Sequence, residues 1–77
     1  MEEIKALIEQ WKKAAEDKFI TNMIDFWSNE DRAFYHECCD KMKEIEQKLT
    51  AEYNVEVIPA FFDGDTQFKY NGEVIPW

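Results

Sequence analysis

The spacing of apolar residues predicts two long helices in the first two thirds of the chain. Between Ser28 and Tyr53 apolar residues recur every three or four positions, which is the spacing of one stripe along an α-helix. Ser28 and Asp31 have the spacing of a capping box, and Asn54 tolerates the left-handed conformation that ends helices. A helix is therefore predicted over residues 29–53, with a stripe made of Tyr35, Cys38, Met42, Ile45, Leu49 and Tyr53.

An earlier apolar stripe predicts a first helix over residues 2–27. The stripe slips at the polar segment 16–18 and then continues, so one helix with a bend is expected. Because the junction between the helices is short, we expect them to pack as a long antiparallel hairpin. A single bent rod through Ser28 is the competing arrangement. The first stripe consists of Ile4, Leu7, Ile8, Trp11, Ala15, Ile20, Met23, Ile24 and Trp27.

After Tyr53 the apolar period changes from 3.6 to 2, which predicts strands. A turn at residues 63–66 and an Asn-Gly hairpin at residues 71–72 connect them. The predicted fold is α+β, a helical hairpin followed by a small three-stranded antiparallel β-meander (ααβββ), as one domain over residues 1–77. The strands are expected at about residues 55–62, 67–70 and 73–77.

The turn lengths also predict how these strands pair. The Asn-Gly loop places Phe68 opposite Ile75, and a four-residue loop places Phe61 opposite Phe68. Pro59 and Pro76 then lie in the outer strands, where a missing N–H is tolerated. The face expected to cover the helices carries Val57, Phe61, Phe68, Tyr70, Ile75 and Trp77.

The charge of the chain indicates which partners it can bind. Its 17 acidic and 9 basic residues give a net charge of −8, which repels phosphate groups. We therefore expect no direct binding to nucleic acid or to anionic membranes, and a protein with a basic surface is the expected partner. No apolar run approaches the roughly 20 residues that cross a bilayer. The adjacent Cys38 and Cys39 cannot form an ordinary stapling disulfide within a helix, so a soluble, reduced, cytoplasmic protein is expected.

Residues that could carry chemistry are few and isolated. His36 and Cys39 are weak candidates for a metal site, because a zinc site usually needs a second pair of ligands elsewhere. As a nucleophile and base they would also need an oxyanion hole and a cleft. Asp63 and Asp65 resemble the start of a calcium loop that lacks its later ligands, and are better interpreted as turn residues. We predict no cofactor and no enzymatic activity.

Surplus apolar residues are the most informative functional signal. Phe26 and Phe34 each adjoin a residue of the apolar stripe, so they cannot face inward together with that neighbour. Other apolar residues fall on the outer face of the predicted sheet, and exposed apolar patches usually mark contact surfaces. The predicted binding residues are Phe26, Phe34, Ile58, Phe62 and Val74, with an acidic rim of Glu30, Asp31, Glu37 and Asp40.

These observations predict a small acidic protein–protein interaction module that occludes or sequesters a partner. Self-association to a homo-oligomer is also expected, because long helices with aromatic residues on several faces bury them best in an assembly. In general character the chain is similar to small phage or mobile-element proteins that inhibit host machinery, although no motif carries the likeness. The alternatives are a DNA-mimic inhibitor, whose carboxylates would stand in for phosphates, and an oligomeric small-ligand (sponge) protein.

Overall fold

The computed structural model describes residues 2–76 and has two helices followed by a three-stranded antiparallel sheet. The predicted ααβββ order is therefore confirmed, and the second strand is central, whereas Pro59 and Pro76 lie beyond the ends of the outer strands and not within them as predicted. The elements are helices α1 (Glu2–Asn22) and α2 (Asn29–Tyr53), strands β1 (Glu56–Ile58), β2 (Gln67–Tyr70) and β3 (Glu73–Val74), and a 3-10 turn at Asp63–Asp65.

Helix α2 begins and ends where its local signals predict. The hydroxyl of Ser28 accepts from the backbone N–H of Asp31, and the Asp31 carboxylate accepts from the backbone N–H of Ser28, which completes the capping box. At the other end Asn54 adopts the left-handed conformation with φ of 59°. Both ends of the helix are thus determined by residues within its own segment.

Helix α1 is shorter than predicted, because it ends at Asn22 and not at residue 27. At this end the α-helical hydrogen bonds give way to a tighter turn, in which the N–H of Ile24 donates to the carbonyl of Thr21, three residues earlier, at 3.1 Å. The indole N–H of Trp27 donates to that same carbonyl at 2.9 Å. In a continuing helix this carbonyl would accept from Asp25, so the tightened turn and the indole end the helix here. The resulting break also excludes the bent rod, and the two helices pack against each other along the hairpin.

The pairing of β1 with β2 also differs from the prediction. Val57, and not Phe61, lies opposite Phe68. The ladder stops before Pro59, which has no N–H to donate, and residues 59–66 form a longer connection than the four-residue loop expected. Relative to the predicted pairing, β1 is shifted by four residues along β2. Because four is an even number, the same side chains still point inward, so Val57 faces the helices while Phe61 lies outside the sheet.

The pairing of β2 with β3 agrees with the prediction. Ile75 donates its N–H to the carbonyl of Phe68 at 2.7 Å, and these two residues lie opposite each other as expected. β3 is shorter than the predicted 73–77, and Trp77 lies outside the described residues. The predicted inner face is confirmed for Val57, Phe68, Tyr70 and Ile75, which are buried or packed against the core.

The core lies between the helical hairpin and the inner face of the sheet. At its centre the rings of Trp11 and Phe68 meet edge to face, with centroids 5.2 Å apart, and both side chains are almost completely buried. Such a pair contributes about 0.5–1.5 kcal/mol beyond the burial of its area. The rest of the buried cluster consists of Ile4, Ile8, Ala14, Met42, Ile45, Leu49, Val55 and Ile75.

The sheet does not cover the whole length of the hairpin. The molecule measures 43 × 20 × 17 Å, and its apolar core extends along α1 only as far as Ala14 and the partly buried Ala15. Beyond it, Ile20, Met23 and Ile24 were predicted to continue the inner stripe but are exposed, while Trp27 is half-buried against Tyr35 at 4.9 Å. Within residues 2–76, neither helix is long and apolar enough to span a bilayer.

Candidate interaction surface

An open groove lies beside the end of α1 that the sheet leaves uncovered. One wall is formed by Phe19 and Ile20 of α1, and the other by Phe61 and Phe62 of the β1–β2 connection. We call this feature the apolar groove. These four side chains are 67, 61, 94 and 66 % exposed in that order, and the volume of the open groove between them is about 1070 Å³.

An ion pair attaches the second wall to α1. The Lys18 ammonium donates a hydrogen bond to the Asp63 carboxylate at 3.0 Å and also lies 5.9 Å from the centre of the Tyr35 ring. Burial alone would lower the pKa of Lys18, but the hydrogen bond and the negative charge of Asp63 raise it above the usual 10.5. The connection that carries Phe61 and Phe62 is thereby held beside the helix.

The two phenylalanines of this wall form a projecting ridge. The rings of Phe61 and Phe62 meet edge to face at 4.9 Å, so they support each other while remaining exposed to solvent. They immediately precede the 3-10 turn. Within it, the backbone N–H of Asp65 donates to the carbonyl of Phe62 at 3.0 Å. The backbone of the ridge is therefore held by the turn, and its two rings contact each other.

Charges around the apolar groove balance each other. Lys12 and Lys18 line it together with Glu16 and Asp63, so these four side chains sum to zero. The chain as a whole carries −8. The acidic surplus therefore lies outside the groove, which can make apolar contacts without a strong local field of either sign.

The five predicted apolar contact residues do not form one surface. Within residues 2–76, Phe62 is the one that lines the apolar groove. Phe26 and Phe34 are exposed, as expected from their partially buried neighbours, and Val74 is exposed on β3. Ile58 lies opposite Gln67 at the end of β1 and is half-buried.

The predicted acidic rim lies on α2 and does not surround the groove. Glu30 and Asp31 occupy the first turn, where Asp31 completes the helix cap. Glu37 and Asp40 line a shallow depression on the outer side of α2, together with Lys41 and other residues. The lysine within this surface interrupts the row of carboxylates that a DNA mimic would present.

The weak metal candidates are not brought together with further ligands. His36 is exposed and Cys39 is half-buried on neighbouring turns of α2. Within the described range 2–76, no group of three or more His, Cys, Asp or Glu side chains is arranged to hold a metal ion. Both cysteines are free thiols, and burial, followed by the charge of Asp17, raises the pKa of Cys38. A buried thiol of this kind is a small core residue and a poor nucleophile.

Sequence reasoning missed three of the four residues that form the groove walls. Phe61 was expected inside, and Ile20 was assigned to the inner stripe. Phe19 was not assigned to any face, although it follows Ala15 by four residues, where the predicted stripe slips. The buried positions of α1 at this point are Ala14 and Thr21, so the slip in the stripe was the available signal that Phe19 faces outward.

In comparisons with known proteins, no family model, no curated protein and no solved structure matches this chain.

Proposed function

We propose that this chain is a non-enzymatic protein–protein interaction module and that the apolar groove is its contact surface. The observation that carries the proposal is the exposure of Phe19, Ile20, Phe61 and Phe62 around one groove. Monomeric soluble proteins rarely expose apolar side chains so close together unless they bind something. Aromatic residues are also the type most enriched at interface hot spots.

The pre-formed ridge supports the same proposal. Because the Lys18–Asp63 pair attaches the connection that carries Phe61 and Phe62 to α1, less backbone ordering is required when a partner binds. The net charge of −8 would act at longer range by steering a basic protein toward the molecule. Binding would then occlude the surface of that partner, in a reducing compartment such as the cytoplasm that suits two free thiols.

A capture experiment with two matched variants tests the proposal. Immobilised wild-type chain, Phe62→Asp and Val74→Asp are exposed to an extract of the cells that produce the protein. Both variants place one carboxylate on an exposed apolar residue, but Val74 lies on β3 and outside the groove. We expect Phe62→Asp to lose capture and Val74→Asp to retain it, with the same helical circular dichroism.

The salt dependence of capture separates apolar binding from electrostatic mimicry. At about 1 M salt the screening length falls to about 3 Å, so contacts that depend on surface charge are lost. We expect capture through the groove to persist under these conditions. Capture that disappears with salt and is equal for Phe62→Asp and Val74→Asp would instead support binding through the acidic residues of α2.

A further inference from the structure

We propose that the apolar groove is occupied by the same groove of a second copy of this chain, which gives a symmetric dimer. This inference rests on the proposed function, because it concerns the same contact surface: a second copy occupies the groove in the isolated protein, and a basic partner has to displace it. Two properties of the molecule support a second copy, the amount of surface it exposes and the apolar side chains on both walls of the groove, and the balanced charge within the groove permits it.

The chain exposes more surface than a monomer of its mass. Its accessible area is 5873 Å² for 9.3 kDa. A folded monomer of this mass exposes about 5,000 Å², so the excess is about 900 Å². The radius of gyration is likewise 13.4 Å, against about 11.5 Å for a compact domain of this length. Both excesses belong to the whole molecule, which is elongated at 43 × 20 × 17 Å, and the excess area is close to the roughly 800 Å² that a standard interface buries on each partner.

Both walls of the groove carry exposed apolar side chains. A two-fold interface brings the same patch of both copies together, so the patch must contain a projection and a recess side by side. Here Phe61, the most exposed of the four wall residues at 94 %, stands across the groove from Phe19 and Ile20. A two-fold axis between two such surfaces would place Phe61 of each copy against the α1 wall of the other.

The charges permit this contact despite the net charge of the chain. Lys12, Lys18, Glu16 and Asp63 balance within the groove, so two grooves meet without like charges concentrated at the contact. The −8 carried by the rest of each chain repels at longer range, and salt screens that repulsion. Dimerisation should therefore strengthen as salt is added, whereas binding of a basic partner should weaken.

Sedimentation equilibrium of the full chain at low and high salt tests the dimer. We expect the wild type to sediment at twice 9.3 kDa, with tighter association at high salt. Phe62→Asp should raise the dissociation constant at least about tenfold, and Phe61→Asp should act in the same direction. Both residues are exposed in the single chain, so the variants should keep their fold, which circular dichroism checks. Val74→Asp adds the same charge outside the groove and should remain a dimer.

The other outcomes contradict the proposal in different ways. A wild type that stays monomeric at every concentration and salt overturns the dimer. If Phe62→Asp nevertheless abolishes capture of another protein, the proposed function stands with a different partner. A dimer that Phe62→Asp and Val74→Asp weaken equally, or one that salt dissociates, shows that the copies associate through another surface.

Discussion

The ammonium of Lys18 lies 3.0 Å from the carboxylate of Asp63, which is 45 residues further along the chain. This contact joins α1 to the 3-10 turn and so connects the two walls of the apolar groove. Neither partner belongs to the core, and both keep part of their side chain exposed. The pair therefore matters more for the position of the ridge than for the stability of the domain.

The strength of this pair can be measured with Lys18→Met, Asp63→Asn and the double variant. For a partly exposed pair we expect a coupling free energy of about 0.2–1 kcal/mol in urea unfolding. The matched control is the Lys48–Glu52 pair of α2, whose atoms are 4.0 Å apart and more exposed. Its coupling should be the smaller of the two. A larger coupling for the control pair would mean that the ridge is not held by Lys18.

The same coupling should depend on pH in one direction. Asp63 raises the pKa of Lys18 in the folded chain above the usual 10.5. The contribution of the pair is therefore fully present below 10.5 and is lost as the pH rises through the raised value of the folded state. Repeating the cycle at neutral pH and at a pH well above 10.5 should show the coupling disappear. Cys38 also titrates in alkali, but the wild type, the two single variants and the double variant all contain it, so its effect cancels from the coupling free energy. A coupling that persists unchanged in strong alkali would contradict this account.

The two glycines offer a matched test of the hairpin turn. Gly72 has φ of +82°, which side chains adopt only with strain, whereas a Cβ at Gly64 meets nothing within 4 Å and needs no unusual φ. Gly72→Ala should lower the free energy of unfolding by about 1–2 kcal/mol. Gly64→Ala should leave it unchanged or raise it by about 0.4–1 kcal/mol through the unfolded state. Chemical denaturation of both variants checks this, and equal effects would refute the positive φ at Gly72.

Features that depend on neighbouring residues in the sequence could be predicted. The cap at Ser28, the left-handed Asn54 and the Asn71–Gly72 turn each form within a few residues, and their side-chain chemistry is visible in the sequence. The pairing of Phe68 with Ile75 follows from that two-residue turn. Such local signals were sufficient for the order of the elements and for the ends of α2.

The end of α1 and the pairing of β1 were not predicted correctly. The end of α1 depends on the indole of Trp27, six residues further on, which takes the carbonyl of Thr21, and Asn22 was not recognised as the end of the helix. The length of the β1–β2 connection follows from the loss of pairing before Pro59, which shifted Phe61 out of the sheet. The groove could not be predicted either, because one wall comes from the end of α1 and the other from the β1–β2 connection, and both differ from the prediction.

The most direct test of the central claim compares Ile20 with Ile24 by methyl NMR in the presence of a soluble paramagnetic probe. In the single chain Ile20 lines the groove and is 61 % exposed, while Ile24 lies outside the groove and is 42 % exposed. If a second copy occupies the groove, the Ile20 methyl signal at high protein concentration should be broadened less than that of Ile24. Dilution or Phe62→Asp should restore the order expected for the single chain. Stronger broadening of Ile20 than of Ile24 at every concentration would show that the groove remains open to solvent and would contradict the claim.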